Sequence, residues 1–124
     1  GLLLDDEGND VYSAGPGAQG YAHDYAFGLL EDGSGNDDYV AQNLAQGSGH
    51  ANGYGILVDR SGHDTYMVRE ASDTRGSGHY VCEFGSVGVF IDIQGADRYG
   101  GGAGADGTGW TRGEYGVGRD DDFP

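Results

Sequence analysis

Two carboxylates and a phenol recur along the chain at fixed spacing. Asp5, Asp10 and Tyr12 stand in the order Asp-x-x-Gly-x-Asp-x-Tyr, and that order returns with Asp32, Asp37 and Tyr39, with Asp59, Asp64 and Tyr66, and with Asp92, Asp97 and Tyr99; a further copy begins at Asp120. Two kinds of chemistry suit such a pattern. Carboxylate oxygens together with turn carbonyls form the hard, oxygen-rich cage of about six to eight ligands that Ca²⁺ takes. The same short side chains also accept N–H bonds from their own backbone and close Asx-turns with no ion present. The residues alone leave both readings open, with Asp5, Asp10, Asp32, Asp37, Asp59, Asp64, Asp92 and Asp97 as the candidate metal ligands.

Basic side chains do little to balance this acidity. The chain has 21 carboxylates against 6 basic residues, a formal net charge of -15, and all six basic residues are Arg. The first of them is Arg60, so Asp5, Asp6, Glu7, Asp10, Asp24, Glu31, Asp32, Asp37 and Asp38 precede any cationic side chain. Such a field repels nucleic acid and anionic membrane surfaces and favours divalent cations. Cys82 is the single cysteine, so no internal disulfide forms and no Cys-based metal motif exists. No apolar run approaches the roughly 20 residues of a membrane-spanning helix, and no signal peptide is visible. The chain reads as a mature or excised segment.

The elements that must position these residues follow from the repeat. Anchor residues Asp5, Asp32, Asp59, Asp92 and Asp120 set a period near 27, longer in the third copy. A second landmark, Ala18-Gln19-Gly20, returns as Ala45-Gln46-Gly47, Thr74-Arg75-Gly76 and Ala105-Asp106-Gly107, which places the extra residues before Thr74 and after His79. Short β-prone stretches bounded by Gly, Asn and Asp lie between the landmarks, and no segment offers a helical period. A period in this range with three brief strands per unit predicts an all-β fold, a parallel β-helix of about four coils. The coils run over 1–27, 28–54, 55–87 and 88–115, with a partial coil over 116–124, in one domain.

Stacking the coils turns the repeat into ladders of like residues about 4.8 Å apart. Leu3, Leu30, Leu57 and Phe90 form one apolar ladder, Phe27, Tyr54, Val87 and Tyr115 a second, and Tyr12, Tyr39, Tyr66 and Tyr99 an aromatic third; together they are expected to fill the core. Leu2, Leu29, Ile56 and Val89 stand either at a bend, the reading preferred, or on an exposed apolar stripe. The carboxylates form columns on the turn edge, where like charges at this spacing cost about 1 kcal/mol or more per pair unless something screens them.

The stretch GSGNDDY, with Gly33, Gly35, Asp37 and Tyr39, resembles the Gly-x-Gly-x-Asp-x-hydrophobic core of the haemolysin-type calcium-binding repeats. The copies EGNDVY, SGHDTY and QGADRY keep the second Gly, the Asp and the Tyr. The resemblance implies Ca²⁺ held by the turns of a parallel β-roll and singles out Asp37. That family repeats every nine residues, whereas here one motif serves each coil of about 27.

Other columns carry less chemistry. His23, His50 and Trp110 stand eleven residues after a repeat Tyr and His79 thirteen, a column that reads as aromatic stacking in preference to a ligand set. Gln19 and Gln46 pair as at most one rung of an amide ladder, because Arg75 and Asp106 follow them. Polar residues that recur coil after coil are structural devices, so no catalytic residue is assigned; the least repetitive segment, with Arg69, Glu70, Asp73 and Arg75, is where a cleft over residues 69–83 would mark an enzyme acting on polysaccharide. Thr65, Thr74, Thr108 and Thr111 are too few for an ice-binding face. The expected role is a structural or adhesive extracellular or cell-surface repeat, Ca²⁺-stabilised, stacking head to tail into a filament or continuing a longer chain, with neither end capped. The alternative is carbohydrate binding through exposed Tyr21, Tyr25 and Tyr80.

Overall fold

The computed structural model describes residues 1–81 and 83–122, with Cys82, Phe123 and Pro124 outside the described set. Coil one contains β1 (Leu2–Asp5), β2 (Val11–Ser13) and β3 (Ala22–His23); coil two contains β4 (Phe27–Asp32), β5 (Asp38–Ala41) and β6 (Gly49–His50). Coil three contains β7 (Tyr54–Asp59) and β8 (Thr65–Val68), followed by the short pair β9 (Tyr80–Val81) and β10 (Phe84–Gly85). Coil four contains β11 (Val87–Asp92), β12 (Arg98–Gly100) and β13 (Gly109–Thr111), and β14 (Gly116–Asp120) begins the fifth. No helix occurs among the described residues, so none is long and apolar enough to cross a membrane.

The stack is a parallel β-solenoid of about four turns. One sheet runs β1-β4-β7-β11-β14-β13 and the second runs β12-β8-β5-β2. Register follows the repeat: Leu3 pairs with Leu30, Leu30 with Leu57 and Leu57 with Phe90, while Tyr12 pairs with Tyr39, Tyr39 with Tyr66 and Tyr66 with Tyr99. Three strands per coil hold for the first two coils. In the third, the last strand shrinks to a single bridge between Gly49 and Gly78, and the extra residues after it form the antiparallel pair β9 and β10.

Alternation along the first sheet decides what faces in. Gly28, Leu30 and Asp32 point inward on β4, as do Gly55, Leu57 and Asp59 on β7 and Gly88, Phe90 and Asp92 on β11. The interior is therefore laid out in three strips. At the glycine strip the Gln-Gly segment of the coil lies directly against the sheet: a Cβ at Gly55 or Gly88 would collide with the carbonyl of Ser48 or Ser77, so backbone packs on backbone and no side chain fits. At the middle strip Leu30, Leu57 and Phe90 pack on Tyr39 and Tyr66, with Tyr12, Tyr99 and Trp110 around them. The Tyr rings stack at 4.8, 4.8 and 5.1 Å between centroids, the coil spacing itself.

Three sequence expectations are corrected by this alternation. Leu2, Leu29, Ile56 and Val89 lie within unbroken strands that show no bend, and they face outward as an apolar stripe. Phe27, Tyr54 and Tyr115 share that outward face and are about half exposed, so they do not fill the core. The carboxylate columns do not sit on an exposed edge: Asp32, Asp37, Asp59, Asp64, Asp92 and Asp120 are buried inside the stack.

A fourth correction concerns the ends. After Gly100 the chain leaves the repeat, turns back, and lays β13 antiparallel along the free edge of β14. Trp110 thereby leaves the His register and enters the core, 5.5 Å from Phe90 and 6.0 Å from Tyr99 between ring centroids. The rung that should follow Phe90 is Gly118, and the Trp110 indole occupies the space a side chain there would fill. One end of the stack is thus covered, and a coil cannot add to β14 while β13 is in place.

Candidate functional site

The third interior strip is the candidate cation column. Asp32, Asp59, Asp92 and Asp120 arrive there by the two-residue period of the strand, two positions after Leu30, Leu57, Phe90 and Gly118. The second carboxylate of each motif stands just before the strand that carries the Tyr. Its role is to hold the neighbouring coil: Asp10 N–H donates to Asp37 Oδ1 at 2.6 Å, Asp37 N–H to Asp64 Oδ1 at 2.7 Å and Asp64 N–H to Asp97 Oδ1 at 2.6 Å. In the fifth coil Asp106 plays this part, accepting from Asp97 N–H at 2.6 Å. Asp106 therefore belongs to the covered end, not to the Gln19–Gln46 position that its spacing suggested.

The anchor carboxylates bind in two directions. Asp32 Oδ1 accepts from Ser34 N–H at 3.0 Å and Asp59 Oδ1 from Ser61 N–H at 3.1 Å, which are the turn caps read from the sequence. Their other oxygens receive the phenols of the preceding coil, Tyr12 to Asp32 at 2.5 Å, Tyr39 to Asp59 at 2.6 Å and Tyr66 to Asp92 at 2.6 Å, with Tyr99 donating likewise to Asp120. This Tyr–Asp bond between coils was missed in the sequence, where Tyr and the next anchor stand 20, 20, 26 and 21 residues apart. Burial raises all four phenol pKa values and the adjacent carboxylates raise them further, so the phenols stay protonated donors.

After these bonds one oxygen of each turn carboxylate is left over. Asp37 Oδ2, Asp64 Oδ2 and Asp97 Oδ2 are buried without a hydrogen-bond partner, as is Asp92 Oδ1. Loss of hydration pushes Asp37 and Asp97 up to about 6, Asp64 up to about 8 and Asp92 up to about 9, with neighbouring carboxylates adding to the shift. Asp32, Asp59 and Asp120 are raised for the same reason, although their hydrogen bonds oppose it. The column as it stands wants positive charge, from protons or from a metal ion.

The protein does not supply that charge. Among the described residues the ion pairs join His23 to Asp24, Arg60 to Glu31, His79 to Asp73 and Glu114, and Arg119 to Asp121; none includes a column carboxylate. The buried Arg75 is committed elsewhere. It stands on the Gln19–Gln46 column, donates to Gln46 Oε1 at 2.9 Å, and spends its other donors on the carbonyls of Tyr66, Gly100, Gly101 and Ala103 at 2.5–2.8 Å. Burial lowers its pKa to about 10, which leaves it charged, and it holds in place the loop by which the chain departs from the repeat.

Carboxylate oxygens meet in triads along the column: Asp5–Asp10–Asp32, Asp32–Asp37–Asp59, Asp59–Asp64–Asp92 and Asp92–Asp97–Asp120, each within 4.8 Å. Two oxygens bound to one Ca²⁺ at 2.3–2.6 Å lie at most about 5 Å apart, so each triad is compact enough to be a candidate site for one ion. All eight carboxylates named from the sequence belong to these triads, and Asp120 joins them. Asp106 and Asp122 form a further, more exposed group with Asp120.

The remaining sequence candidates disperse. His23 and His50 stack at 4.9 Å, but His79 turns to Asp73 at 2.7 Å and to Ser77 at 2.9 Å, so the His column has two rungs. Asn9, Asn36 and His63 form a surface ladder in which each side chain accepts the N–H of the next coil, at 2.8–2.9 Å, beside an open polar groove that also includes Ser61, Gln94 and Asp122. Tyr25 and Tyr80 are exposed, and Tyr25 meets Phe84 edge-on at 5.4 Å. Compared with models of known families, with curated proteins and with solved structures, the chain matches none. The likeness to haemolysin-type repeats therefore rests on the motif residues alone.

Proposed function

We propose that the chain is a structural, non-catalytic repeat module of an extracellular or cell-surface protein, and that Ca²⁺ in the Asp column holds its coils in register. The observation that carries this reading is the set of buried carboxylate oxygens with no partner, Asp37 Oδ2, Asp64 Oδ2 and Asp97 Oδ2, in a column with no basic side chain among the described residues. A hard cation that accepts irregular oxygen cages suits the triads better than Mg²⁺, which demands octahedral geometry and keeps several waters that a buried column does not admit. Outside the cell Ca²⁺ modules operate at about 0.1–1 mM, which favours an extracellular setting. The free strand edge at β1 is where a further coil or a second copy would join; head-to-tail growth at β14 requires β13 to leave.

Thermal unfolding at neutral pH in EDTA and in millimolar CaCl₂ tests the reading. Calcium is expected to raise the midpoint and Mg²⁺ to do so much less. Identical midpoints in EDTA and CaCl₂ would overturn it and leave protons as the column's charge.

A carbohydrate-binding role is the second reading, favoured by the exposed rings of Tyr25, Phe27, Tyr54, Tyr80, Phe84 and Tyr115. Affinity electrophoresis through soluble polysaccharides should then show retardation that Tyr25→Ala weakens. Unretarded migration in every polysaccharide removes this reading.

A further inference from the structure

Consecutive triads are not separate sites. Asp59 belongs both to the group with Asp32 and Asp37 and to the group with Asp64 and Asp92, and Asp92 belongs both to that group and to the one with Asp97 and Asp120. We infer that the column binds a row of three divalent cations, one in each closed triad, with Asp59 and Asp92 as bridging carboxylates. The inference rests on the cation reading above and adds the number of ions, their order and the residues that couple them.

Three observations lead to it. The first is the repetition of the orphaned oxygen. Asp37 and Asp64 are 1% exposed and Asp97 is 8% exposed, and each belongs to one triad and carries one unpartnered oxygen, so the unmet demand recurs once per coil and is not local to one place. The second is the lone-pair account of a bridge. A carboxylate has about four acceptor positions. Asp59 uses one on Ser61 N–H and one on the Tyr39 phenol, which leaves about one position on each oxygen free for a cation. The Tyr and Ser donors thus orient the bridge without exhausting it.

The third is charge. The closed part of the column holds seven carboxylates, Asp32, Asp37, Asp59, Asp64, Asp92, Asp97 and Asp120. A single divalent ion would leave five negative charges confined in a buried strip, whereas three leave one. Ions in adjacent coils would stand about 4.8 Å apart, and carboxylate-linked metal pairs are stable at about 3.5–4 Å, so the spacing is not prohibitive when a carboxylate lies between.

The fourth triad differs. Asp5 and Asp10 sit at the open end, where water reaches both, so Asp5–Asp10–Asp32 lacks the enclosure of the other three and no orphaned oxygen is found there. It takes an ion last and weakly.

Calcium added to the EDTA-stripped and dialysed 124-residue protein, followed by isothermal titration and native mass spectrometry, counts the ions directly. Three per chain in the tight phase is the expected result. Asp59→Asn and Asp92→Asn should each remove two, since each breaks a bridge, while Asp37→Asn should remove one. A wild-type count of one overturns the row and leaves the cation reading intact; no binding overturns both. Equal loss in Asp59→Asn and Asp37→Asn, with circular dichroism showing both folded, overturns the bridging. Should Asp59→Asn fail to fold, the wild-type count still decides the row, and Asp92→Asn decides the bridge.

Discussion

The two ends of the stack carry the same coil and meet water differently. At coil one, Leu3 stands 44% exposed, Tyr12 has a ring neighbour on one side, and the outer edge of β1 has no strand beside it among the described residues. At coil four, Phe90 is 0% exposed because Trp110 lies over it, and β14 has β13 along its edge. The residues of the motif are alike at both ends, so the difference comes from what the chain does after the motif. Covering an edge takes a departure from the repeat: the run Gly100, Gly101, Gly102 and Gly104 turns the chain, Arg75 ties down the carbonyls of Gly100, Gly101 and Ala103, and Asp106 accepts the Asp97 N–H as a turn carboxylate does elsewhere. A solenoid gains stability by nearest-neighbour stacking, and its terminal units need such devices.

The contrast predicts a hierarchy of effects. The largest belongs to the column, whose middle carboxylates Asp59, Asp64 and Asp92 are at most 1% exposed. In the cation-free protein Asp64 and Asp92 hold protons up to about pH 8 and 9, well above the range near 4 at which the unfolded chain releases them. A raised carboxylate pKa gives stability that is complete below the unfolded value and lost as pH climbs through the folded one. In EDTA the protein should therefore melt at a markedly lower temperature at pH 9 than at pH 5, with hydrogen exchange rising first in coils three and four; Ca²⁺ should abolish most of the difference. Stability that rises with pH in EDTA would show that the column is not protonated.

Trp110→Ala should follow, at about 3–5 kcal/mol, because it uncovers Phe90 and Tyr99 together. Urea denaturation measures the loss, and a result below 1 kcal/mol would mean that β13 does not seal this end. The paired substitutions Leu57→Ala and Leu3→Ala compare the middle of the apolar ladder with its open end. The first should cost about 2–5 kcal/mol and the second well under half of that, since Leu3 is already wet; equal costs would show that the edge of coil one is covered in solution.

Tyr39→Phe should cost about 1–3 kcal/mol by leaving the buried Asp59 carboxylate without its phenol donor. Tyr12→Phe, at the open end where water can replace the hydroxyl, should cost less. The smallest effect belongs to Arg60→Ala. Its pair with Glu31, 2.5 Å apart on the outer face, is worth about 0–1 kcal/mol and should vanish in high salt.

Much of the fold was legible because a solenoid is set by local pattern. The Asp-x-x-Gly-x-Asp-x-Tyr register fixes which residues stack, and a parallel stack then fixes the ladders Leu3–Leu30–Leu57–Phe90 and Tyr12–Tyr39–Tyr66–Tyr99, with no information needed from distant parts of the chain. The carboxylates of the column were legible by the same route, and so were the extra residues on either side of Thr74-Arg75-Gly76. Their burial was missed, although a simple rule covers the anchors: if Leu30 faces in, Asp32 two residues on faces in with it.

What only the tertiary structure decided is what happens across the interior and where the pattern breaks. The phenol of one coil meets the carboxylate of the next because the Tyr strand and the Asp strand close around the same narrow space, a fact of cross-section that no linear spacing states. Trp110 keeps the spacing of the His column yet abandons its register, because Gly118 leaves a hole beneath Phe90 that an indole fills and a surface position would waste. Phe27, Tyr54 and Tyr115 look like core by composition and lie outside, since the glycine beside each admits only backbone on the inner side. Repetition determines stacking; the contacts between opposite walls, and the cover over the last coil, depend on residues that meet only once the stack exists.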